Sequence, residues 1–346
     1  MKPDIRPADL VSDRAELVGI IGRNLPTESS ERRFDWLYLE GPHGKGHAWV
    51  ARNSQSSVVG LAALFPRRFS FAGQEFVACV LGDFCFDEKY RSLGPAIELQ
   101  RTCLRAAMAS PFGAFYDFPS AKMMAVYKRI GIAQTGSVVR WAKLIRANHY
   151  IQSRVSFPRL AQGLSFIANI PLSWHRWRSD LGDYEMSIQE ELCGPEFTAL
   201  DVKVRKGSGL RTVRSAEYLN WRYKANPRTA HNIVAARKAG ALVGYAVITS
   251  EGALTSIADL CAPVENAERL VPHLLTAVAE YAHQDPKTTT ISMVSGVSHP
   301  WSEIFRKAGF RQRDHSPLVA YADKSSATPG PLPGSNWYLM QGERDS

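Results

Sequence analysis

Residues 34–42 read FDWLYLEGP, and residues 219–227 read LNWRYKANP. Trp36, Tyr38 and Pro42 recur as Trp221, Tyr223 and Pro227, each 185 positions later. One W-x-Y-x-x-x-P match carries little, so the flanking residues decide whether the chain is a repeat. AWVAR, ending at Arg52, returns as IVAAR, ending at Arg237. VVGLAAL around Gly60 returns as LVGYAVI around Gly244. Asp83 in GDFCF has a counterpart in Asp259 of ADLC, and YKRIGI, ending at Ile132, one in FRKAGF, ending at Phe310. Chance supplies one or two such matches, not an ordered set at nearly constant spacing.

The coarse pattern of each copy is the same. In the first, residues 47–52 and 58–65 read as strands around the polar turn NSQSS, and 68–72 and 76–86 as a second hairpin about Ala72-Gly73. A helix is expected over 94–109, with Ile97, Leu99, Leu104 and Ala107 on its apolar face. A strand at 114–118, a helix at 120–130 and a closing strand at 134–145 follow. The second copy gives strands at 231–237, 242–249 and 254–261, then a helix at 267–283, a strand at 289–295, a helix at 300–308 and a strand at 316–322. Antiparallel strands followed by βαβα predict an α/β fold, two mixed and mostly antiparallel sheets flanked by helices. The expected units are 1–147, a linker at 148–190, a second unit at 191–323, and a linker with a C-terminal strand or tail at 324–346. The 346 residues suit two cores better than one.

Composition narrows the function classes. No apolar run has the roughly 18–20 residues of a membrane-spanning helix. The charged start MKPDIRPADL is not a secretory signal. Five cysteines without CxxC spacing argue against a zinc site or disulfide framework, and for a reducing cytoplasm. No metal site is expected. The net charge of +9 is uneven, with no acidic residue from Phe118 to Ser179. That stretch favours an anionic partner: a phosphate-bearing cofactor, an acidic lipid surface or nucleic acid. Its segment PRLAQGLSFIANIPLSWHRWRSD suits either an interfacial helix on an anionic membrane or a helix buried between the copies. Burial is the reading adopted, which leaves at most weak membrane contact at the inner face.

The chemistry-bearing motif is RSLGPA, comprising Arg91, Ser92, Leu93, Gly94, Pro95 and Ala96. It follows the apolar strand VACVLGDFCF and opens the amphipathic helix. Unpaired N–H groups and the helix dipole make such a start an anion cradle, and Gly94 lets the backbone come close to a phosphate. Asp83 interrupts an apolar strand just before this loop, and Asp117 ends the next one. Each is a candidate base or a structural carboxylate. Cys85 has no histidine in a partner position and reads as a buried apolar residue.

On these residues the chain resembles the GNAT superfamily of acyl-coenzyme A-dependent N-acyltransferases. That family's loop, Gln/Arg-x-x-Gly-x-Gly/Ala, is matched by Arg91, Gly94 and Ala96. The further pattern Asn-x-x-Ala-x-x-x-Tyr-x-x-x-Gly-Phe is matched at Tyr127 and Gly131 but has Ser120, Met123 and Ile132 at the asparagine, alanine and phenylalanine positions. The resemblance implies transfer from acetyl-CoA or another acyl-CoA to a small amine. Asp83 or Asp117 would take the amine proton, N–H groups near Cys85 and Phe86 would polarise the carbonyl, and Tyr127 would protonate the leaving thiolate. Lys128 and Arg129 would lower the Tyr127 pKa if they point the same way. The second copy has APVENAERL in place of the loop and Phe305 in place of Tyr127, so it is expected to bind no donor. The FDWLY and LNWRY segments resemble tandem members linked to surface polysaccharide synthesis, which implies an amino-sugar acceptor. A FemAB-like transferase using charged tRNA and a non-enzymatic binding protein of this fold are the alternatives. Nucleic acid is the less favoured partner.

Overall fold

The chain is seen in a computed structural model that describes residues 4–25, 30–109, 111–147, 183–207, 209–322 and 336–344. Residues 148–182, which hold most of the acid-free segment, and residues 323–335 lie outside the described residues.

The repeated Trp-x-Tyr segments each sit on a short helix capped by serine. Ser30 Oγ accepts the Arg33 N–H at the start of α1′s successor, α2 (Glu31–Phe34), which follows α1 (Arg14–Asn24). The serine 185 residues on, Ser215, caps Ala216–Leu219 in the same way. Each helix widens into one turn of π-helix, Asp35–Leu39 and Asn220–Lys224. That turn aims both tryptophans at the boundary between the copies. Trp36 Nε1–H donates to the Trp221 carbonyl at 2.7 Å, and Trp221 Nε1–H donates to the Trp36 carbonyl at 2.8 Å. The rings stack 5.1 Å apart. A reciprocal contact of this kind marks a pseudo-twofold axis.

In chain order the first copy supplies β1 (Asp4–Pro7), β2 (His47–Arg52), β3 (Val58–Phe71), β4 (Gln74–Phe86), α3 (Leu93–Met108), β5 (Ala114–Asp117), α4 (Ala121–Ile130) and β6 (Gly136–Leu144). The remainder supplies β7 (Tyr184–Gln189), α5 (Pro195–Arg205), β8 (Arg211–Thr212), α6 (Ala216–Leu219), β9 (Asn232–Lys238), β10 (Ala241–Glu251), β11 (Leu254–Cys261), α7 (Ala267–Gln284), β12 (Thr290–Gly296), α8 (Ser302–Lys307) and β13 (Arg311–Ala322). The fold is mixed α/β, as the strand and helix pattern predicts.

The two halves share one sheet rather than holding one each. Its order is β1-β2-β3-β4-β5-β13-β6-β12-β11-β10-β9-β7, with β8 beside β3. The closing strands are exchanged. β6, from the first copy, pairs with β12 along its length, and β13, from the second, pairs with β5. The sequence periodicity identifies both strands but says nothing of which neighbour each takes.

Three local expectations change. The break expected between 58–65 and 68–72 is absent, and β3 runs straight through Pro66. β2 has ended at Leu64 by then and β8 begins only opposite Phe69, so Pro66 has a strand partner on one side alone, where a missing N–H is tolerated. The end of the expected linker is an edge strand, β7. Its Tyr184, Met186 and Ile188 alternate onto the second core. Among its described residues the C-terminal segment adds no full strand, only two isolated bridges and a 3-10 turn at Gln341–Glu343.

Candidate active site

Asp83 and Asp259 explain the repeat at the level of side chains. Asp83 receives two hydrogen bonds from the Arg33 guanidinium, both 2.9 Å, and a third from the Tyr38 hydroxyl at 2.9 Å. Asp259 receives Arg214 Nε–H at 2.6 Å and the Tyr223 hydroxyl at 3.1 Å. The tyrosine of the Trp-x-Tyr motif and the aspartate of the strand are thus one buried unit, built twice. The arginine comes from a different place in each half, so sequence comparison does not find it. With both oxygens of Asp83 bonded and the pair buried, this carboxylate is poorly placed to accept a proton from a substrate.

Asp83 has a second effect. Its φ of 46° lies in the left-handed region, a strained setting for a non-glycine residue. The ladder from β3 to β4 shifts register here, between Leu61 and Ala63. The bulge turns β4 away from β5, and the two stay paired only at Cys79–Phe115 and Val80–Tyr116. Beyond them lies a cavity of about 810 Å³. The β4 edge from Gly82 to Phe86 forms one wall, Asp117–Ser120 and α4 the other, and the start of α3 the mouth.

Most residues singled out from the sequence line this cavity, but Gly94, Pro95 and Tyr127 do not. Arg91, Ser92, Leu93 and Ala96 line its mouth. The N–H groups of Leu93 and Gly94 have no partner within the helix. Pro95 has none to offer, and Ala96 N–H is bonded to the Ser92 carbonyl at 3.3 Å. A Cβ built on Gly94 would meet nothing within 4 Å, and its φ is not positive. Neither packing nor backbone conformation asks for glycine there, which fits a surface left open for a phosphate. The Arg91 guanidinium is occupied, donating to the Phe86 carbonyl at 2.9 Å and to Asn24 Oδ1 at 3.0 Å. Lys122 is the other cation on the lining.

Cys85 and Phe86 lie on the β4 edge, but their side chains serve the interior. Cys85 Sγ points at the Ile20 carbonyl, 3.9 Å away, and burial pushes its thiol pKa up, which disfavours the thiolate. The Phe86 ring covers Gly60, where any Cβ would collide with it at 2.4 Å.

Asp117 and Tyr127 meet. The Tyr127 hydroxyl donates to Asp117 Oδ2 at 2.6 Å and accepts from Gln100 Nε2 at 3.2 Å. Asp117 and Gln100 line the cavity, while Tyr127 is fully buried behind them. Burial, and then the Asp117 charge, raise the Tyr127 pKa well above its ordinary value. Lys128 and Arg129 are exposed and do not lower it, so the condition on which they would act is not met. Gln100 was not singled out from the sequence, because a glutamine on a helix's buried face gives no signal until its partner is known.

The matching place in the second half is filled by the chain itself. β11 and β12 pair from Leu254–Thr290 to Ile257–Met293. Past that point Ser295 bridges to Met340, and Gly296 N–H donates to the Leu339 carbonyl at 3.1 Å. β6 occupies the other edge of β12 through Gly296, so the tail lies on the edge facing β11. Tyr338, Leu339 and Met340 are buried there, and Glu343 accepts from Arg214 in an ion pair 2.5 Å long. Among the described residues no group of histidine, cysteine and acidic side chains could hold a metal ion, and no helix is long and apolar enough to cross a membrane.

No family model matches the sequence, and no curated protein matches it either. Solved structures do match the fold. A GCN5-related N-acetyltransferase from Anabaena variabilis covers 93% of this chain and 73% of its own at 13% identity, with a TM-score of 0.63. A conserved protein of unknown function from Enterococcus faecalis, described as a probable N-acyltransferase, covers 93% of this chain and 72% of its own at 10% identity and 0.61. A tandem GNAT protein from the clavulanic acid biosynthesis pathway covers 94% of this chain and 100% of its own at 12% identity and 0.57. The chain therefore has the tandem GNAT fold.

Proposed function

We propose that the chain is an N-acyltransferase that takes its acyl group from an acyl-coenzyme A bound in the first half's cavity, and that the second half binds no donor. The observation that carries this is the asymmetry of two related clefts. One is open behind a glycine the protein does not itself require, and the other is filled by the protein's own tail.

The donor supplies the acyl group as a thioester. Leu93 and Gly94 N–H groups and Lys122 are the groups suited to its phosphates. From Gly82 to Phe86, β4 is paired with β3 on one side only; apart from the Phe86 carbonyl, which Arg91 holds, the backbone groups on its other side are available to an extended ligand and to the acyl carbonyl oxygen. Asp117 is the carboxylate at the cavity suited to accept a proton from an amine. Tyr127 keeps its proton: a phenol with a raised pKa does not readily protonate a thiolate whose own thiol titrates near about 8.5. Its part is to hold Asp117, with Gln100 fixing the direction of its hydroxyl. An amino sugar remains the proposed acceptor class, supported only by the resemblance of the Trp-x-Tyr segments.

Titration calorimetry with acetyl-, longer acyl- and free coenzyme A tests the donor assignment. One binding site per chain is expected. Gly94→Ala, which has room for its methyl group, should still bind. Gly94→Glu should lose binding by at least about a hundredfold, since a carboxylate would stand where phosphate belongs. Equal affinity in a folded Gly94→Glu protein would remove the donor assignment.

A further inference from the structure

A second cavity, of about 480 Å³, opens where the halves exchange strands. It shares no lining residue with the acyl-transfer cleft and is argued independently of it. Its walls come from four separate segments: the start of β6, the end of β12 and its following loop, the middle of β13, and the tail. It therefore exists only in the assembled tandem fold. Its volume is within the range of small-molecule sites, about 300–1,000 Å³.

The lining has a definite chemistry. Leu318, Leu339 and Trp337 form a buried apolar floor. Around it stand Gln134, Ser137, Ser298 and His315. Gln134 Nε2 donates to the Gly136 carbonyl at 2.8 Å and to Ser137 Oγ at 2.9 Å, which leaves Gln134 Oε1 and the Ser137 hydroxyl proton without a side-chain partner among the described residues. Ser298 and His315 make no side-chain hydrogen bond among the described residues. Among the described residues no lysine, arginine, aspartate or glutamate lines the cavity. Gly296 sits at its wall, where a Cβ would find only Leu339 and Trp337, both at 3.9 Å. As at Gly94, packing does not demand glycine, and its missing side chain keeps the space open.

Each class of ligand meets this lining differently. A phosphate or carboxylate would enter without a countercharge. A hydrocarbon would cover the serine, glutamine and histidine groups without satisfying them. A ligand with hydroxyls around its edge and C–H groups on its face satisfies both the rim and the floor. We infer that this cavity is a binding site for a neutral saccharide, one to two rings in size.

The test uses the full chain and saturation-transfer NMR with glucose, galactose, N-acetylglucosamine, their β-1,4-linked dimers, and glucuronate and galacturonate as charged counterparts. At least one neutral sugar should bind with a Kd of about 1 mM or tighter, and the uronates at least about tenfold more weakly. Ser298→Trp, an exposed position filled toward the cavity, should weaken the sugar about tenfold or more and leave coenzyme A affinity unchanged. Gly296→Ala serves as the folded control and should bind. Absence of any neutral saccharide binding, equal binding of the uronates, or full binding by Ser298→Trp would each overturn the assignment.

Discussion

At the scale of single residues, the two aspartates singled out from the sequence separate by what they touch. Asp83 is held by Arg33 and Tyr38, and Asp259 repeats the arrangement in a half whose cleft is filled. A feature kept without a cleft is architectural. Asp83→Ala should therefore act on stability, because it leaves the buried Arg33 guanidinium without its carboxylate; such losses run at about 3–5 kcal/mol. Asp117→Asn should act on turnover instead, by about 10²–10⁴-fold, with coenzyme A affinity nearly intact. Tyr127→Phe removes one hydrogen bond to Asp117 and should cost about tenfold in turnover, less than a proton donor would. Urea midpoints and steady-state rates with an amine acceptor, measured on the same three proteins, check the assignment. A stable Asp83→Ala protein with no activity, or an Asp117→Asn protein with full activity, would reverse the two roles.

At the scale of elements, the tail around Leu339 acts as the missing strand of the second half. It bridges to Ser295, buries Tyr338, Leu339 and Met340, and brings Glu343 to Arg214. It also reaches the first half, where the Tyr116 hydroxyl donates to the Glu343 carbonyl at 2.9 Å and Arg344 lies over the Phe118 ring at 5.0 Å. Phe118 lines the first half's cavity. Leu339→Ala should destabilise the protein by about 2–5 kcal/mol, as for other buried leucines, seen as a lower denaturant midpoint. A change below about 0.5 kcal/mol would mean the tail is only loosely seated.

At the scale of the whole molecule, exchanged strands and reciprocal tryptophans tie the halves into one cooperative unit. Buried histidines at the boundary make that unit acid-sensitive. His43 stacks on Tyr218 across the two halves, and its Nδ1 accepts the Arg68 N–H at 3.1 Å. His299 Nδ1 accepts the Trp301 N–H at 3.1 Å beside Tyr338 of the tail. Neither bond survives protonation of Nδ1. Burial, then Arg67 and Arg68, lowers the His43 pKa to about 3. Burial, then Arg211 and Arg214, lowers that of His299 to about 3. The unfolded chain binds these protons from about pH 6.5 downward and the folded chain does not. Stability is thus retained above about pH 6.5 and lost as pH falls toward 3, at up to about 1.4 kcal/mol per pH unit for His299. Urea midpoints at successive pH values should show the fall, and His299→Gln should flatten it. A midpoint constant from pH 7 to 4 would contradict the protonation argument.

The sequence by itself determined the repeat, most strands and helices of the two repeated cores, and the helix start that follows the β4 strand. Those rest on local periodicity and on residues such as Gly94 and Pro95, whose backbone properties act within a few positions. It also brought Asp83 and Asp117 into view, because one breaks and the other ends an apolar run, and Tyr127 through the resemblance of its surrounding pattern to a known family. It could not show what they touch. Arg33, fifty residues away, closes on Asp83 only in the folded chain, and only there do Gln100 and Asp117 take up the Tyr127 hydroxyl. The exchange of β6 and β13 was decided by tertiary structure alone, since a strand's alternation fixes which face is buried but not which neighbour it pairs with. The same holds for the filled second cleft: the NWYLM run is apolar enough to be buried, and only the splayed edge of β12 determines where.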